Sequence, residues 1–494
     1  MRKLILSFFV AGLCLSFAGA QDVIADVHGS DPGRRSAEDA ENCRSLASLG
    51  MTNLKGATDL EEFGTLGVSA VEDQTQQKMD MPGMGTQDAQ TQDRPGMDMP
   101  GMDMSQPTPD WMPSPHDASG TGWQPAATAG HFWMKSVRAW DLMAHGVIFV
   151  DYNQQGGPRG EGKAESVNWL MLMEQHKLWG GSFMFREMFS AESLTAPHPG
   201  FPELFQSGET YHGQPLIDHQ HPHNVFSELS FYYARPISGK VSWEFYGGPA
   251  GEPALGPVAF MHRASASELP MAPLSHHLQD STHTSFGVIT TGLVVYRFKV
   301  EGSVFNGREP NEKRYGIQFA ALDSWSARLS VAASRNWTAQ YSYGRLEHPE
   351  ALEPGSQRRQ TASVEYVRPF ASGSWATSVI WGRVHKEVGN RNLNSYLLET
   401  TANFKLRNYA FSRMELVDKD ELFPGNPLLP SFRIGAYTFG GAHDVIQGRL
   451  WQLAVGADLT FYTKPSTLDP FYGKNPLSFQ VFLRVRPALS HHKH

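Results

Sequence analysis

Hydrophobic and polar residues alternate with a period of two through much of the second half of the chain. In WQLAVGADLTFY (451–462), one face carries Trp, Leu, Val, Ala, Leu and Phe, and the other carries Gln, Ala, Gly, Asp, Thr and Tyr. The segment LSFQVFLRVR (477–486) divides in the same way, as do the stretches that begin at Trp325 and Trp337. Successive side chains of a strand point to opposite faces, so this pattern predicts β-strands with one apolar and one polar face.

The alternating segments favour a membrane barrel over a soluble antiparallel sandwich, whose strands also alternate. They run to roughly 10–16 residues, whereas strands of globular proteins usually have about five or six. Their second face carries small and charged residues, and the last alternating segment lies close to the C-terminus. The predicted fold is therefore all-β, an antiparallel transmembrane β-barrel of about 14–18 strands preceded by a disordered N-terminal tail. Further candidate strands are Leu142–Asn153, Ser166–Gln175, Gly181–Phe189, Val225–Arg235, Ser285–Tyr296, Val300–Phe305, Ser395–Lys405, Tyr409–Val417 and Phe432–His443.

The N-terminal part of the chain is predicted to be a signal peptide followed by a flexible tail. Residues 1–20 combine Arg2 and Lys3, an apolar run and a small-residue cleavage site at Ala18-Gly19-Ala20, which is typical of a secretory signal. Residues 21–130 are dense in Asp, Gln, Thr, Pro and Gly, a composition that buries too little apolar surface to offset the entropy of ordering. We therefore expect a periplasmic tail over 21–130 and the barrel over 131–494.

Two interruptions of the strand pattern, at 191–223 and 247–284, are too long for turns and are rich in Pro, Gly and His. Long irregular segments in a compact domain are usually functional. In a barrel they are expected either as extracellular loops or as segments folded into the lumen.

The tail contains a methionine repeat that has no core in which to be buried. The hexapeptide MDMPGM occurs twice between residues 79 and 104, with Asp residues interleaved. Thioether sulfur is a soft ligand that selects Cu(I), and methionine needs no deprotonation to bind it. We predict a Cu(I) site there; a low-complexity linker or a sink for oxidants remains the alternative. The candidate ligands are Met79, Met81, Met84, Met97, Met99, Met102 and Met104.

Histidines are concentrated in the two long interruptions. The stretch DHQHPHN (218–224) spaces three imidazoles two residues apart, which in extended backbone places them on one side of the chain. Imidazole suits Cu(II), Zn and Ni about equally, so a second metal site, with Cu(II) as one candidate ion, competes with histidines that only hydrogen-bond inside the lumen. The candidate ligands are His219, His221, His223, Met261, His262, His276, His277 and His283, and Asp280 lies among them in sequence.

Other functions are less well supported by the sequence. The formal net charge is −8 and no basic stripe is present, so we expect no nucleic-acid partner. Ser281 and His283 in QDSTHTS could be drawn as part of a hydrolase, but nothing in the sequence places an acid and an oxyanion hole beside them. We expect a protein that is not an enzyme.

The order of a signal peptide, a Met/Asp-rich repeat and alternating strands resembles the copper-resistance protein B family of Gram-negative bacteria. The matching residues are the repeats of 79–104 and the strands after about residue 140. Members of that family mix His and Ser into the repeat, which this segment lacks, and the barrel here is larger. The stretches DHQHPHN and GGPAGEPALGPVAFMHR are instead similar to a group of bacterial exported proteins. The resemblance implies copper handling at the outer membrane.

The sequence therefore predicts an outer-membrane β-barrel whose periplasmic tail binds copper and contributes to copper sequestration or export. Expected partners are outer-membrane lipid and copper ions, with a periplasmic copper carrier as a further candidate. The alternatives are a general porin or structural barrel with an incidental tail and, third, an outer-membrane hydrolase.

Overall fold

The barrel predicted from the alternating pattern is present and closed. A computed structural model describes residues 114–424 and 429–489, and within them sixteen antiparallel strands form the wall. Each wall strand pairs with the next one along the wall, and the first closes the ring by pairing with the last, from Ile148↔Val485 to Gln154↔Phe479. This confirms the antiparallel barrel and lies within the predicted range of strand number. In the described residues no helix is long and apolar enough to cross a membrane.

The wall is built from long strands joined mostly by short turns, and four further strands lie outside it or extend it. The short strands β1 and β3 pair with opposite edges of β2, and β6 and β7 form a separate hairpin. Three one-turn helices are α1 (Glu192–Thr195), α2 (His276–Gln279) and α3 (Asp469–Tyr472). The strands are β1 (Phe132–Val137), β2 (Trp140–Gln154), β3 (Gly162–Glu165), β4 (Asn168–Leu178), β5 (Gly181–Phe189), β6 (Phe201–Tyr211), β7 (Gln214–Gln220), β8 (Phe226–Ser238), β9 (Val241–Gly251), β10 (Ser285–Val295), β11 (Phe298–Phe305), β12 (Ser324–Ser334), β13 (Trp337–Leu346), β14 (Gln357–Phe370), β15 (Gly373–Lys386), β16 (Arg391–Phe404), β17 (Asn408–Lys419), β18 (Phe432–Gln447), β19 (Trp451–Thr463) and β20 (Leu477–Pro487).

The outer surface of the wall is apolar and the inner surface is polar. On β20, Val481 and Leu483 are 55% and 44% exposed, whereas Gln480 and Arg484, which flank this pair, are buried. The same split appears on β12, where Trp325 and Leu329 face outward and the serines and Arg328 face inward. An apolar exterior is the surface that a barrel surrounded by hydrocarbon requires. The inner charges are buried because other parts of the chain cover them.

One of the two long interruptions lies inside the barrel. It begins after β9, and we call residues 252–284 the plug segment; every residue of it is buried or half-buried. It bonds to several strands of the wall: the Gly256 amide donates to Ser342 Oγ of β13 at 2.9 Å, and the Ser275 amide donates to Glu415 of β17 at 2.8 Å. At another side, Arg486 of β20 donates to Glu268 at 3.0 Å. The plug segment therefore crosses the lumen.

A second stretch inside the barrel belongs to the part of the chain for which composition predicts a tail. Residues 114–130, which we call the inner segment, follow directly on the undescribed N-terminal residues. Thr121 accepts hydrogen bonds from two buried cations of the wall, Arg328 through its hydroxyl at 2.8 Å and Lys299 through its carbonyl. The Trp123 ring lies 4.8 Å from the Lys299 ammonium. Buried charges need partners, and the inner segment supplies them. The remainder of the predicted tail, residues 21–113, lies outside the described residues.

The other interruption, 191–223, is largely a β-hairpin. Strands β6 and β7 pair from Phe201↔Gln220 to Tyr211↔Gln214, with two irregularities in the register. Phe205 of this hairpin is fully buried and stacks on Tyr472 of α3 at a centroid distance of 4.1 Å. The hairpin therefore shares a core with the plug segment and the wall, and its end places His221 and His223 against the plug segment.

Candidate functional site

Five of the predicted metal-ligating histidines meet in one small cavity. It has a volume of about 320 Å³ including its open mouth. The imidazoles come from the connection between β7 and β8 and from the end of the plug segment. Two glutamates and one arginine join them, from the β6–β7 hairpin and the loop after β11. The charged and imidazole side chains of its lining are Glu209, His221, His223, His276, His277, His283, Glu309 and Arg314.

The remaining predicted ligands are elsewhere. The seven methionines of 79–104 lie outside the described residues. His219 faces away and holds Glu161, with Nε2 2.6 Å from Oε1. Strand β7 ends at Gln220, so the two-residue period that should align His219 with His221 does not continue past that residue. His262 packs on Trp169 at a centroid distance of 4.8 Å and on His145 at 5.6 Å, and Met261 beside it is half-buried.

Four of the five imidazoles have a ring nitrogen beside an oxygen acceptor, and in three of them Nδ1 is held at 2.8 Å or less. His223 Nδ1 lies 2.7 Å from Glu192 Oε2, His276 Nδ1 lies 2.6 Å from Asp280 Oδ1, and His283 Nδ1 lies 2.8 Å from the Asp280 carbonyl. Carboxylate and carbonyl oxygens only accept hydrogen bonds, so each Nδ1 carries the proton. In the neutral ring the opposite nitrogen, Nε2, is then an unprotonated lone-pair donor.

Two of these lone pairs face each other. His223 Nε2 lies 3.1 Å from His283 Nε2. Two acceptor nitrogens at this distance repel unless a proton or a cation lies between them. Bonds of 2.0–2.1 Å from two imidazoles to one tetrahedral metal ion would place the nitrogens about 3.3–3.4 Å apart. The observed separation is within a few tenths of an ångström of that value.

The other two imidazoles lie beside the glutamates. His221 Nε2 is 2.8 Å from Glu209 Oε1, and His277 Nδ1 is 3.8 Å from Glu309 Oε1. One nitrogen from each of His221, His276 and His277 lies within 4.8 Å of the other two. Glu209 is also bonded to the guanidinium of Arg314. Carboxylate oxygen and imidazole nitrogen are both ordinary ligands of transition metals.

Burial favours the neutral form of four of the imidazoles by lowering the pKa of His221, His276, His277 and His283. It lowers the pKa of His276 to about 4 and that of His277 to about 3, because the charged form loses its hydration. Burial opposes ionisation of Asp280 as well, but His276 and Arg263 hold the pKa of that carboxyl well below its usual range. A neutral imidazole backed by an anionic carboxylate is the form in which histidine binds metal.

The partners of these imidazoles could not be found from sequence spacing. Glu192, Glu209 and Glu309 come from three different segments and lie 12 to 32 residues from the histidines that they face. Only Asp280 is close in sequence to the histidines, four residues after His276 on α2, where one helical turn brings the two together.

The arrangement does not assemble a hydrolytic Ser–His pair. The Ser281 hydroxyl accepts a hydrogen bond from Arg359, whereas both nitrogens of His283 are engaged with Asp280 and His223. Among the described residues no hydrogen bond joins Ser281 to His283.

Comparisons with known proteins give likenesses of shape only. No family model matches the chain, and no curated protein matches it. Among solved structures it is similar to an anion-selective porin from Comamonas acidovorans, with 10% identity, 70% of this chain and 99% of that chain covered, and a TM-score of 0.45. It is also similar to OprB from Pseudomonas putida, with 11% identity, 71% of this chain and 94% of that chain covered, and a TM-score of 0.45. For the outer-membrane channel DcaP of Acinetobacter baumannii the identity is 9%, the coverage is 71% of this chain and 99% of that chain, and the TM-score is 0.42.

Proposed function

We propose that the chain is a β-barrel of the outer membrane of a Gram-negative bacterium that binds copper ions inside its lumen. The apolar exterior supports the membrane location: large side chains such as Val300, Leu293 and Trp375 point outward and are about half exposed. In hydrocarbon every backbone group must be satisfied within the protein, and a closed barrel achieves this without a helix.

The single observation that carries metal binding is the approach of His223 Nε2 to His283 Nε2 at 3.1 Å. A shared proton would require one of the two buried rings to become an imidazolium, and burial lowers the pKa of His283 well below its usual value. A metal ion instead accepts both lone pairs, and the Glu192 carboxylate behind His223 raises the basicity of that ligand.

Copper is the ion that fits both candidate ligand sets in the chain. Imidazole binds Cu(II), and the thioethers of 79–104 suit Cu(I), so one metal in two oxidation states could use both. Nine residues separate Met104 from Ser114, where the described chain begins. At about 3.3–3.6 Å per residue, they keep Met104 within roughly 35 Å of the inner segment. We propose capture by the methionines, followed by storage or transfer to the lumenal histidines.

The lumenal site is tested by Cu(II) binding to the purified full-length protein without reductant, so that Cu(I) ligands are not engaged. We expect bound copper with nitrogen hyperfine structure in its EPR spectrum, and at least one ion fewer in His283→Ala. The matched control is His348→Ala in an exposed loop, which should bind as the parent does. Equal copper in both variants would refute the lumenal site.

The tail is tested separately by titrating Cu(I) into a peptide of residues 75–115. We expect it to compete with a Cu(I) chelator, and a peptide with all methionines changed to leucine should not. Failure of the parent peptide to compete would end the proposal for the tail and leave the lumenal site standing.

A general porin or structural barrel is the second candidate, because a closed wall of sixteen strands is by itself the framework of a wide pore. Because the plug segment crosses the lumen, we expect a narrow or closed pore instead. Conductance in planar bilayers separates the two candidates. A stable open pore, unchanged by copper and by His283→Ala, would favour the porin.

A further inference from the structure

The five imidazoles of the cavity form two groups with one shared member. The ring of His276 lies 5.0 Å from that of His283 and 5.1 Å from that of His277, centroid to centroid. The ring centroids of His221 and His223, which belong to different groups, lie 6.5 Å apart. The nitrogens are thus spread over more space than one ion of normal bond length can serve.

The first group is the set with prepared lone pairs. His223, His276 and His283 each have Nδ1 held by an oxygen acceptor, so each offers Nε2. Of these three rings, His223 and His283 bring their Nε2 atoms to 3.1 Å, whereas one nitrogen of His276 lies within 4.8 Å of nitrogens of His221 and His277.

The second group combines imidazole with carboxylate. His277 Nδ1 is buried, and within the described residues it has no hydrogen-bond partner. It faces Glu309 Oε1 at 3.8 Å, too far for a hydrogen bond. A metal ion bonded to both atoms at about 2.0–2.2 Å would span a gap only slightly shorter than this. His221 and Glu209 lie at the same end of the cavity.

The charges around the cavity suit more than one cation. Glu192, Glu209, Asp280 and Glu309 all lie against the imidazoles, and Arg263 and Arg314 neutralise part of that charge. Glu309 Oε1 lies 3.8 Å from the Arg359 guanidinium, too far for a direct hydrogen bond, so its charge is only partly compensated. Unpaired buried acids are costly, and a bound cation removes the cost.

We propose that the cavity binds two transition-metal ions side by side: one between His223 and His283, the other on His221, His276 and His277 with the carboxylates of Glu209 and Glu309. This inference rests on the proposed function, since it assumes that the lumenal histidines bind metal. It adds a second site with a mixed nitrogen and oxygen ligand set, which suits borderline ions such as Cu(II) or Zn(II) better than Cu(I).

The test is the number of Cu(II) ions bound per chain. The parent for this experiment is the full chain with the seven tail methionines changed to leucine, with His28, His491, His492 and His494 changed to alanine, and with Cys43 changed to serine. These changes remove the candidate imidazole and thiol ligands near the two ends of the chain. We expect two ions in the parent, one in Glu309→Gln combined with His277→Ala, and one in His283→Ala. Circular dichroism checks that each variant keeps its strands.

A spectroscopic measurement removes the ambiguity of a variant that misfolds. Two neighbouring Cu(II) ions couple magnetically and give a half-field EPR transition, which isolated ions lack. We expect this transition in the parent at two equivalents and its loss in either variant. One ion in the parent, lost in His283→Ala and kept in the His277/Glu309 variant, would overturn the two-ion proposal while leaving the proposed function intact. No bound ion at all would overturn both.

Discussion

At the scale of single residues, the structure assigns different roles to histidines that look equivalent in sequence. His219 and His223 both have a glutamate partner, but His219 uses Nε2 for Glu161 at a half-exposed position, whereas His223 uses Nδ1 for buried Glu192. Only His223 therefore turns a free Nε2 toward a second imidazole. The buried carboxylate, rather than the histidine itself, decides which ring is prepared for a ligand role.

This difference predicts the effect of removing each carboxylate. Glu192→Ala should weaken Cu(II) binding by about 10- to 100-fold, the usual effect of losing a group that orients a ligating histidine. Glu161→Ala is the matched control, because it removes the partner of a histidine outside the cavity. Competition titration against a chelator of known affinity measures both. Equal affinities in the two variants would show that His223 is not a ligand.

At the scale of elements, the plug segment is held by ion pairs that are almost fully buried. Arg263 donates to Glu399 of β16 at 2.6 Å and to Asp280 at 2.8 Å, and its side chain has no exposed surface. Asp280 also holds His276 and His283. The anchor of the plug and the orientation of the imidazoles thus share one residue: the Asp280 carboxylate binds Arg263 and His276, and its backbone carbonyl binds His283.

Arg263→Ala should loosen the plug segment. Removing one partner of a buried ion pair leaves uncompensated charge and costs about 3–5 kcal/mol. We expect new cleavage sites within 252–284 under limited proteolysis and a higher conductance in bilayers. Arg345→Ala is the control: Arg345 pairs with Glu347 and Glu387 at the surface, so its loss should change neither measurement. An Arg263→Ala protein as resistant as the control would mean that other contacts hold the plug.

Elements defined by alternation could be predicted from sequence, and those defined by tertiary partners could not. The predicted strand Gly181–Phe189 has the bounds of β5, because a glycine turn precedes it and its side chains alternate throughout. The β6–β7 hairpin was missed: Pro202 and Gly208 interrupt its pattern, and its stability comes from burying Phe205 against distant residues. The histidines of the site could likewise be predicted as ligands, because they are concentrated in two segments of the sequence. Glu209 and Glu309 could not, because only the tertiary structure brings them to the histidines.

At the scale of the whole molecule, two segments of the chain itself occupy the lumen and cover the polar inner surface of the wall. The plug segment comes from between β9 and β10, and the inner segment comes from ahead of β1. They touch each other where the Ala259 amide donates to Ser119 Oγ at 3.0 Å. Ala259 is followed by Phe260, whose ring packs on His223, His276 and His283. The inner segment is thus linked to the candidate metal site through the contacts of Ser119 with Ala259 and of Phe260 with the histidines.

The inner segment should therefore matter to the barrel in a way that the preceding residues do not. Deleting 21–130 removes the carbonyls and hydroxyl that accept hydrogen bonds from Arg186, Lys299 and Arg328. Each such bond to a charged group is worth about 1.5–3 kcal/mol, and the cations would be left inside the barrel with fewer partners. Deleting only 21–113 leaves all of them in place. We expect the longer deletion to lower the unfolding temperature, raise the conductance and weaken Cu(II) binding, whereas the shorter one should retain the parent's stability, conductance and lumenal Cu(II) affinity. Identical behaviour of the two deletions would show that the barrel does not depend on the inner segment, and would place the control of the lumen in the plug segment alone.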